Sequence, residues 1–131
     1  MKKIGILNRD LSSLIASMGH YDYLVISDAG FPIPKSVPCI DLSVRGNIPT
    51  VLEIAELVSI ELAVEEFYIA SEAEAHFRNR QEAINIYFPE AKGKMIPHVE
   101  FKELAQKSRG VVRTGDFTPY ANIILSSGVI Y

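Results

Sequence analysis

The chain has a single cysteine, Cys39, among its 131 residues. One thiol cannot form an internal disulfide or a site built from several thiolates, and its place in the apolar run 37–42 reads as a small buried hydrophobe. Long apolar runs are missing too: none approaches the ~18 residues of a membrane span. The stretch after Lys2 and Lys3 ends at Asn8, Arg9 and Asp10, too early for a signal-peptide core. A cytoplasmic protein without membrane insertion is the expectation. Charge of one sign is also lacking. Thirteen basic and 16 acidic residues are scattered along the chain and leave a net charge of -3, so nothing marks it for nucleic acid or an anionic surface. The glycines form neither GxGxxG nor the phosphate loop GxxxxGKS/T, and no GxSxG elbow occurs. The three histidines show no HxH or HExxH pairing. The one two-His, one-carboxylate set on offer is His20, Asp28 and His98, and neither a metal nor a cofactor is expected.

What is present is a chain rich enough in apolar residues to fold without staples. Hydrophobic residues make up 48% and charged residues 22%. At this length about two thirds of the extended surface can be buried. No repeat, low-complexity tract or linker divides the sequence, so residues 1–131 are read as one domain. Apolar surface beyond the needs of one core points to subunit contacts.

Helical spacing places an amphipathic helix over residues 10–18, opened by Asn8 and Asp10 and closed by Gly19. Residues 24–27 form a compact apolar run, and the two prolines at 32 and 34 permit only an ordered loop after it. Residues 37–42 make a second strand. Gly46, Asn47 and Pro49 set up a helix through Ile60. Residues 67–70 read as a strand, and Ser71 with Glu74 has the spacing of a capping box for a helix containing Ala75, Arg78, Glu82 and Ile86, stopped by Pro89. Met95 and Ile96 lead to Pro97 and His98. Phe101, Leu104 and Ala105 mark a short helix, and residues 111–113 and 123–125 are the last strands. Uninterrupted apolar strands alternating with helices imply a three-layer α/β/α fold with a mainly parallel sheet and an antiparallel C-terminal strand.

Ligands of open α/β sheets bind at the carboxyl ends of strands. Asp28, His98 and the Thr114, Gly115, Asp116 group follow such strands here. An Asp after a strand is also an ordinary turn or cap residue. His20 is either a histidine at a helix C-terminus or a proton donor, since an imidazole can give and take protons near neutrality. His76 lies among Glu72, Glu74, Arg78 and Arg80 and reads as part of a solvated helix face. Tyr120 between Pro119 and a strand reads as a core aromatic with its hydroxyl outside, and Asn122 as a turn residue. Together these His, Asp, Asn, Tyr and Thr side chains suit a neutral polyol.

Two stretches resemble the D-ribose pyranase family, which includes the related fucose mutarotases: GHYDYLVISDAGFPIP, residues 19–34, and RTGDFTPYANIILSSGVI, residues 113–130. With Asn8, Asp10, Leu11, Asp41 and Leu42 the similarity covers essentially the whole chain. Glu is common in the family where Asp116 stands. The resemblance implies cofactor-free interconversion of the pyranose and furanose forms of D-ribose, in support of ribose uptake and catabolism. It makes His20 the proton donor and Asp28, His98, Tyr120, Ala121 and Asn122 the sugar-binding positions. In the mechanism expected from these residues Asp28 orients His20 or holds a hydroxyl. It further implies a decamer of two pentameric rings with sites between subunits. A non-catalytic sugar-binding accessory protein and a fucose-type mutarotase are the competing expectations.

Overall fold

The computed structural model describes all residues, Met1–Tyr131. The elements follow in the order α1 (Arg9–Ser17), β1 (Tyr23–Ser27), β2 (Cys39–Asp41), α2 (Val51–Glu61), β3 (Val64–Ala70), a 3₁₀ turn (Ser71–Ala75), α3 (Arg80–Tyr87), β4 (Lys92–Ile96), α4 (His98–Ala105), β5 (Gly110–Arg113) and β6 (Ile123–Ser127). Asn8 starts α1 by accepting the Leu11 N–H at 2.9 Å, which brings Leu11 and Ile15, one turn apart, onto the buried face. α2 opens with a capping box: Thr50 Oγ1 accepts the Glu53 N–H, and the Glu53 carboxylate accepts the Thr50 N–H at 2.7 Å.

The box expected at Ser71 and Glu74 does not form. Ala70 occupies the cap position and has no side-chain oxygen to offer, while Ser71 Oγ donates to the neighbouring Glu72. The segment therefore closes as a 3₁₀ turn. The helix expected from Ala75 begins only at Arg80, after Asn79 has turned the backbone to φ 61°.

Six strands form one sheet in the order β2-β5-β1-β6-β3-β4. β1 and β2 pair parallel to β5, and β3 pairs parallel to β4. β6 is antiparallel to both β1 and β3, as expected of the last strand. Side chains alternate between the two faces. Leu24, Ile26, Phe67, Ile69, Ile123 and Leu125 join the core beneath α1, α2 and α3. Val25, Val111 and Ile124 meet Phe101 and Ala105 of α4 on the other face. Both phases of the inner strands β1, β5 and β6 are thus buried, at ~1.5–3 kcal/mol for each large side chain, which is why these strands read as apolar runs. The layers are α/β/α, as the sequence implied.

One residue departs from expectation in its burial. Cys39 is exposed, because β2 pairs only with β5 and lies at the edge of the sheet. Since β6 runs against its neighbours, its first residues share one edge of the sheet with the carboxyl ends of β1, β4 and β5, and the site lies there.

Candidate active site

Asp28 leaves β1 opposite Asn122, which precedes β6. The Asp28 N–H donates to Asn122 Oδ1 at 2.7 Å, and Asn122 Nδ2 donates to Asp28 Oδ2 at 3.1 Å. The Gly30 N–H donates to Asp28 Oδ1 at 3.0 Å, the contact of an Asx turn. With the Phe31 N–H also directed at it, the carboxylate keeps an acceptor position free. Burial raises the Asp28 pKa above the ordinary carboxylate value, the hydrogen bonds from Gly30 and Asn122 oppose that rise, and the Asp116 charge adds to it.

His98 is the first residue of α4, and its backbone N–H is held by the Glu72 carboxylate at 3.0 Å. Its ring meets Tyr120 edge-on with centroids 5.0 Å apart, and it contacts the rings of Phe31 and Phe101. Nδ1 is buried with no partner. Burial, and then Lys102, lower the His98 pKa, so the ring is neutral near pH 7 and can accept or donate one hydrogen bond. Tyr120 has φ 58°, a conformation that costs a non-glycine residue ~1 kcal/mol or more and tends to occur at functional sites. Asp28, Phe31, His98, Tyr120 and Asn122 line a cavity of about 230 Å³. A wider crevice of about 580 Å³, bordered by Arg113 and Asp116, opens beside it and shares Asp28, Gly30 and Pro119.

Asp116 is buried, and both of its carboxylate oxygens accept backbone N–H groups. Its Oδ2 accepts the Val51 N–H at 3.0 Å, at the start of α2, and its Oδ1 accepts the Thr118 N–H at 2.8 Å. Thr114 is likewise turned inward, with Oγ1 donating to the Ser27 carbonyl at 2.8 Å. Gly115 between them approaches the backbone so closely that a Cβ would sit 2.3 Å from the Arg45 carbonyl oxygen.

Two residues near the site were not expected there. His76, assigned to a solvated helix face, follows the 3₁₀ turn and places its ring 5.6 Å from that of Tyr120. Helical periodicity could not find it, because the segment is not a helix. Arg80 is buried, at 2% exposure, and lies over the Phe77 ring. Its Nη2 donates to the Ala121 carbonyl at 2.5 Å, between Tyr120 and Asn122, and its Nε has no partner. Burial lowers its pKa, which the charge of Asp116 partly offsets.

His20 is elsewhere. α1 ends at Ser17 with Met18 as its cap, so His20 is not the capping histidine considered above. It precedes β1 whereas Asp28 follows it, and five strand residues at ~3.3 Å each separate them by at least ~15 Å. Within one chain Asp28 therefore does not orient His20. The partner of His20 Nε2 is Glu65 Oε2 at 2.9 Å, and its ring stacks on Tyr21 with centroids 3.7 Å apart. One chain gathers Asp28, His98, Tyr120 and Asn122 around the cavity, with Ala121 buried in the core between the last two, and leaves His20 at the opposite end of the sheet.

Comparison with known proteins agrees over the whole length. The family model described as the RbsD / FucU transport protein family matches residues 1–130. A Lactobacillus johnsonii protein named D-ribose pyranase is 43% identical over 131 residues, covering 100% of both chains. The solved structure of Bacillus subtilis RbsD complexed with D-ribose is 41% identical, covers 100% of both chains and superimposes with a TM-score of 0.94. The fucose mutarotase of Streptococcus pneumoniae, at 20% identity over 95% of both chains and a TM-score of 0.80, shares the fold.

Proposed function

The chain belongs to the RbsD / FucU transport protein family, and we propose from that membership that it interconverts the pyranose and furanose forms of D-ribose. It is a sugar-ring isomerase. The observation that carries this reading is the 230 Å³ cavity in which Asp28, His98, Tyr120 and Asn122 meet, in a chain 41% identical to a ribose-bound relative. Its acceptors and donors on aromatic walls suit a sugar, whose hydroxyls need hydrogen bonds and whose C–H faces need apolar contact.

Ring exchange passes through the open aldehyde. A base takes the anomeric O–H proton as the C1–O5 bond of the pyranose breaks, an acid protonates O5, and C1=O forms. The O4 hydroxyl then adds to C1 with the proton transfers reversed, giving the furanose. A positioned acid or base contributes ~10²–10⁴-fold, and no metal or covalent intermediate is required for this step. His20 is the acid. Asp28, with an acceptor position left free on its carboxylate, holds a hydroxyl, and when that hydroxyl is the anomeric one it takes the proton. His98, Tyr120 and Asn122 fix the ring, and Ala121, buried between the last two, holds them in place.

Because His20 lies across the sheet from this cavity, the acid comes from a neighbouring copy, and the working form is the decamer of two pentameric rings with sites between subunits. The exposed Ile60, Ile86, Val99 and Phe117 support such contacts. A cytoplasmic role in ribose catabolism fits this chemistry, and no helix is long and apolar enough to cross a membrane.

The test is saturation transfer between pyranose and furanose signals of ribose in NMR, with fucose as a parallel sample. His20→Ala and Asn122→Ala are each expected to lose exchange, and unfolding and reassembling the two together is expected to restore part of it in mixed rings. Ribose binding without exchange by the unaltered protein overturns the enzyme reading, and acceleration of fucose alone moves the substrate.

A further inference from the structure

We propose that Glu65 is a positioning residue for the proton donor, its carboxylate fixing the orientation and tautomer of the His20 imidazole. The inference rests on the reading of His20 as the acid. Its structural basis is a β-bulge. Val64 pairs with Ser127 and Glu66 with Ser126, the next residue of β6, so Glu65 is the extra residue of β3. A bulge breaks the alternation of a strand and re-aims one side chain. Here the re-aimed group is the carboxylate whose Oε2 lies 2.9 Å from His20 Nε2.

The surroundings hold both partners to this geometry. Ser127 accepts the Tyr21 N–H at 2.9 Å and donates its own N–H to the Asp22 carbonyl at 2.9 Å, so the segment carrying His20 is fastened to the β6 residue that faces the bulge. Tyr21, at φ 67°, turns its ring onto the imidazole. A Cβ on Gly128 would lie 3.3 Å from Glu65 Cβ, tighter than most side chains tolerate, so glycine there leaves Glu65 its place. The imidazole is thus held on one face by Tyr21 and on one edge by Glu65.

Stability does not account for the arrangement. The two side chains are 37% and 34% exposed, and a pair this open contributes only ~0–1 kcal/mol. What the contact supplies is direction. A carboxylate can only accept, so it selects the neutral tautomer with hydrogen on Nε2 and leaves the Nδ1 lone pair outward. When the ring is protonated, Nδ1–H is the proton free to go to a sugar oxygen while Nε2–H stays with Glu65. Reversal returns the proton to the same nitrogen.

The test uses the full chain with ¹⁵N-labelled histidine, reading ring nitrogens by long-range correlation and ring exchange by saturation transfer. The expected spectrum of the unaltered protein shows His20 with hydrogen on Nε2. Glu65→Ala is expected to lose that preference and to lower kcat roughly ten- to a hundredfold, less than the ~10²–10⁴ a whole acid contributes, with the ribose KM changed less than about twofold. Glu65→Gln, which keeps an acceptor oxygen, is expected to recover the tautomer and part of kcat. Combining Glu65→Ala with His20→Ala should cost nothing beyond His20→Ala. Unchanged tautomer and kcat in Glu65→Ala, beside a slow His20→Ala, overturns the role of Glu65 alone. Full exchange by His20→Ala overturns the acid assignment itself.

Discussion

Asn122 holds Asp28 at two points, accepting its backbone N–H at 2.7 Å through Oδ1 and donating to its carboxylate at 3.1 Å through Nδ2. The amide supplies an acceptor and a donor on neighbouring atoms, and the pair joins the carboxyl end of β1 to the start of β6. Asn122→Asp keeps the shape, removes the donor and sets a second carboxylate against the first in a buried place. The expected outcome is a loss of ring exchange of at least ~10²-fold with ~1–3 kcal/mol lost from folding. Saturation-transfer NMR and denaturant unfolding check the two halves, and near-normal exchange would remove Asn122 from the site.

Arg80 places a full charge inside the protein with one carbonyl as its hydrogen-bond acceptor. Replacing a buried cation by an apolar side chain of similar length removes its desolvation cost, which offsets the lost bond. Arg80→Met is therefore expected to fold with a Tm within a few degrees of the parent. The Ala121 carbonyl then lacks its donor, and the Tyr120 turn is free to relax from φ 58°. Ribose KM is expected to rise roughly tenfold, equivalent to ~1.4 kcal/mol, with kcat changed less. A lowered kcat at constant KM would contradict the positioning of the sugar wall by this residue.

The layers were legible because residues such as Leu24, Val25 and Ile26 are apolar in both phases, and only a sheet covered on two sides buries both. Of the cavity residues, Asp28 and His98 were legible because they follow apolar runs, whereas Tyr120 and Asn122 read as a core aromatic and a turn residue and were marked only by the family resemblance. Four features were not legible, each decided by pairing, strand order, strand length or which residue takes a cap. Cys39 has the neighbours of a core residue, but strand order puts β2 at the edge. Ser71 and Glu74 have the spacing of a capping box, but Ala70 takes the cap, and with the helix gone His76 reaches Tyr120. His20 and Asp28 share one motif, yet the strand between them carries them apart. The bulge that turns Glu65 toward His20 depends on pairing with β6, about sixty residues along the chain, and leaves no local signature.

Asp116 is expected to separate folding from chemistry. It satisfies the Val51 and Thr118 N–H groups from a buried position at the border of the crevice. Asp116→Ala leaves the Val51 N–H at the start of α2 without its acceptor and is expected to cost about 2 kcal/mol in urea unfolding. Ring exchange at 25 °C should stay within a few-fold of the parent while the protein remains folded. A large loss of kcat with unchanged stability would return Asp116 to the reacting groups.

The pH dependence of stability is set in part by His98. Burial, and then Lys102, hold its folded pKa below the ordinary histidine value, against the opposing pull of Glu72 and Asp28. Above ~6.5 the ring is neutral whether the chain is folded or not, and it adds no slope. As the pH falls below ~6.5 the unfolded chain takes up a proton that the folded chain refuses until its own lower pKa is reached. The unfolded state then binds more protons, and stability declines through that window. Asp28, with its raised pKa, acts with the opposite sign at lower pH. The informative quantity is therefore the difference between the parent and His98→Asn. The parent Tm is expected to fall more steeply than that of the variant between about pH 7 and pH 5, with ribose affinity weakening only at lower pH, once the folded ring takes up its proton. Parallel Tm curves for the two proteins would show that His98 is as readily protonated folded as unfolded.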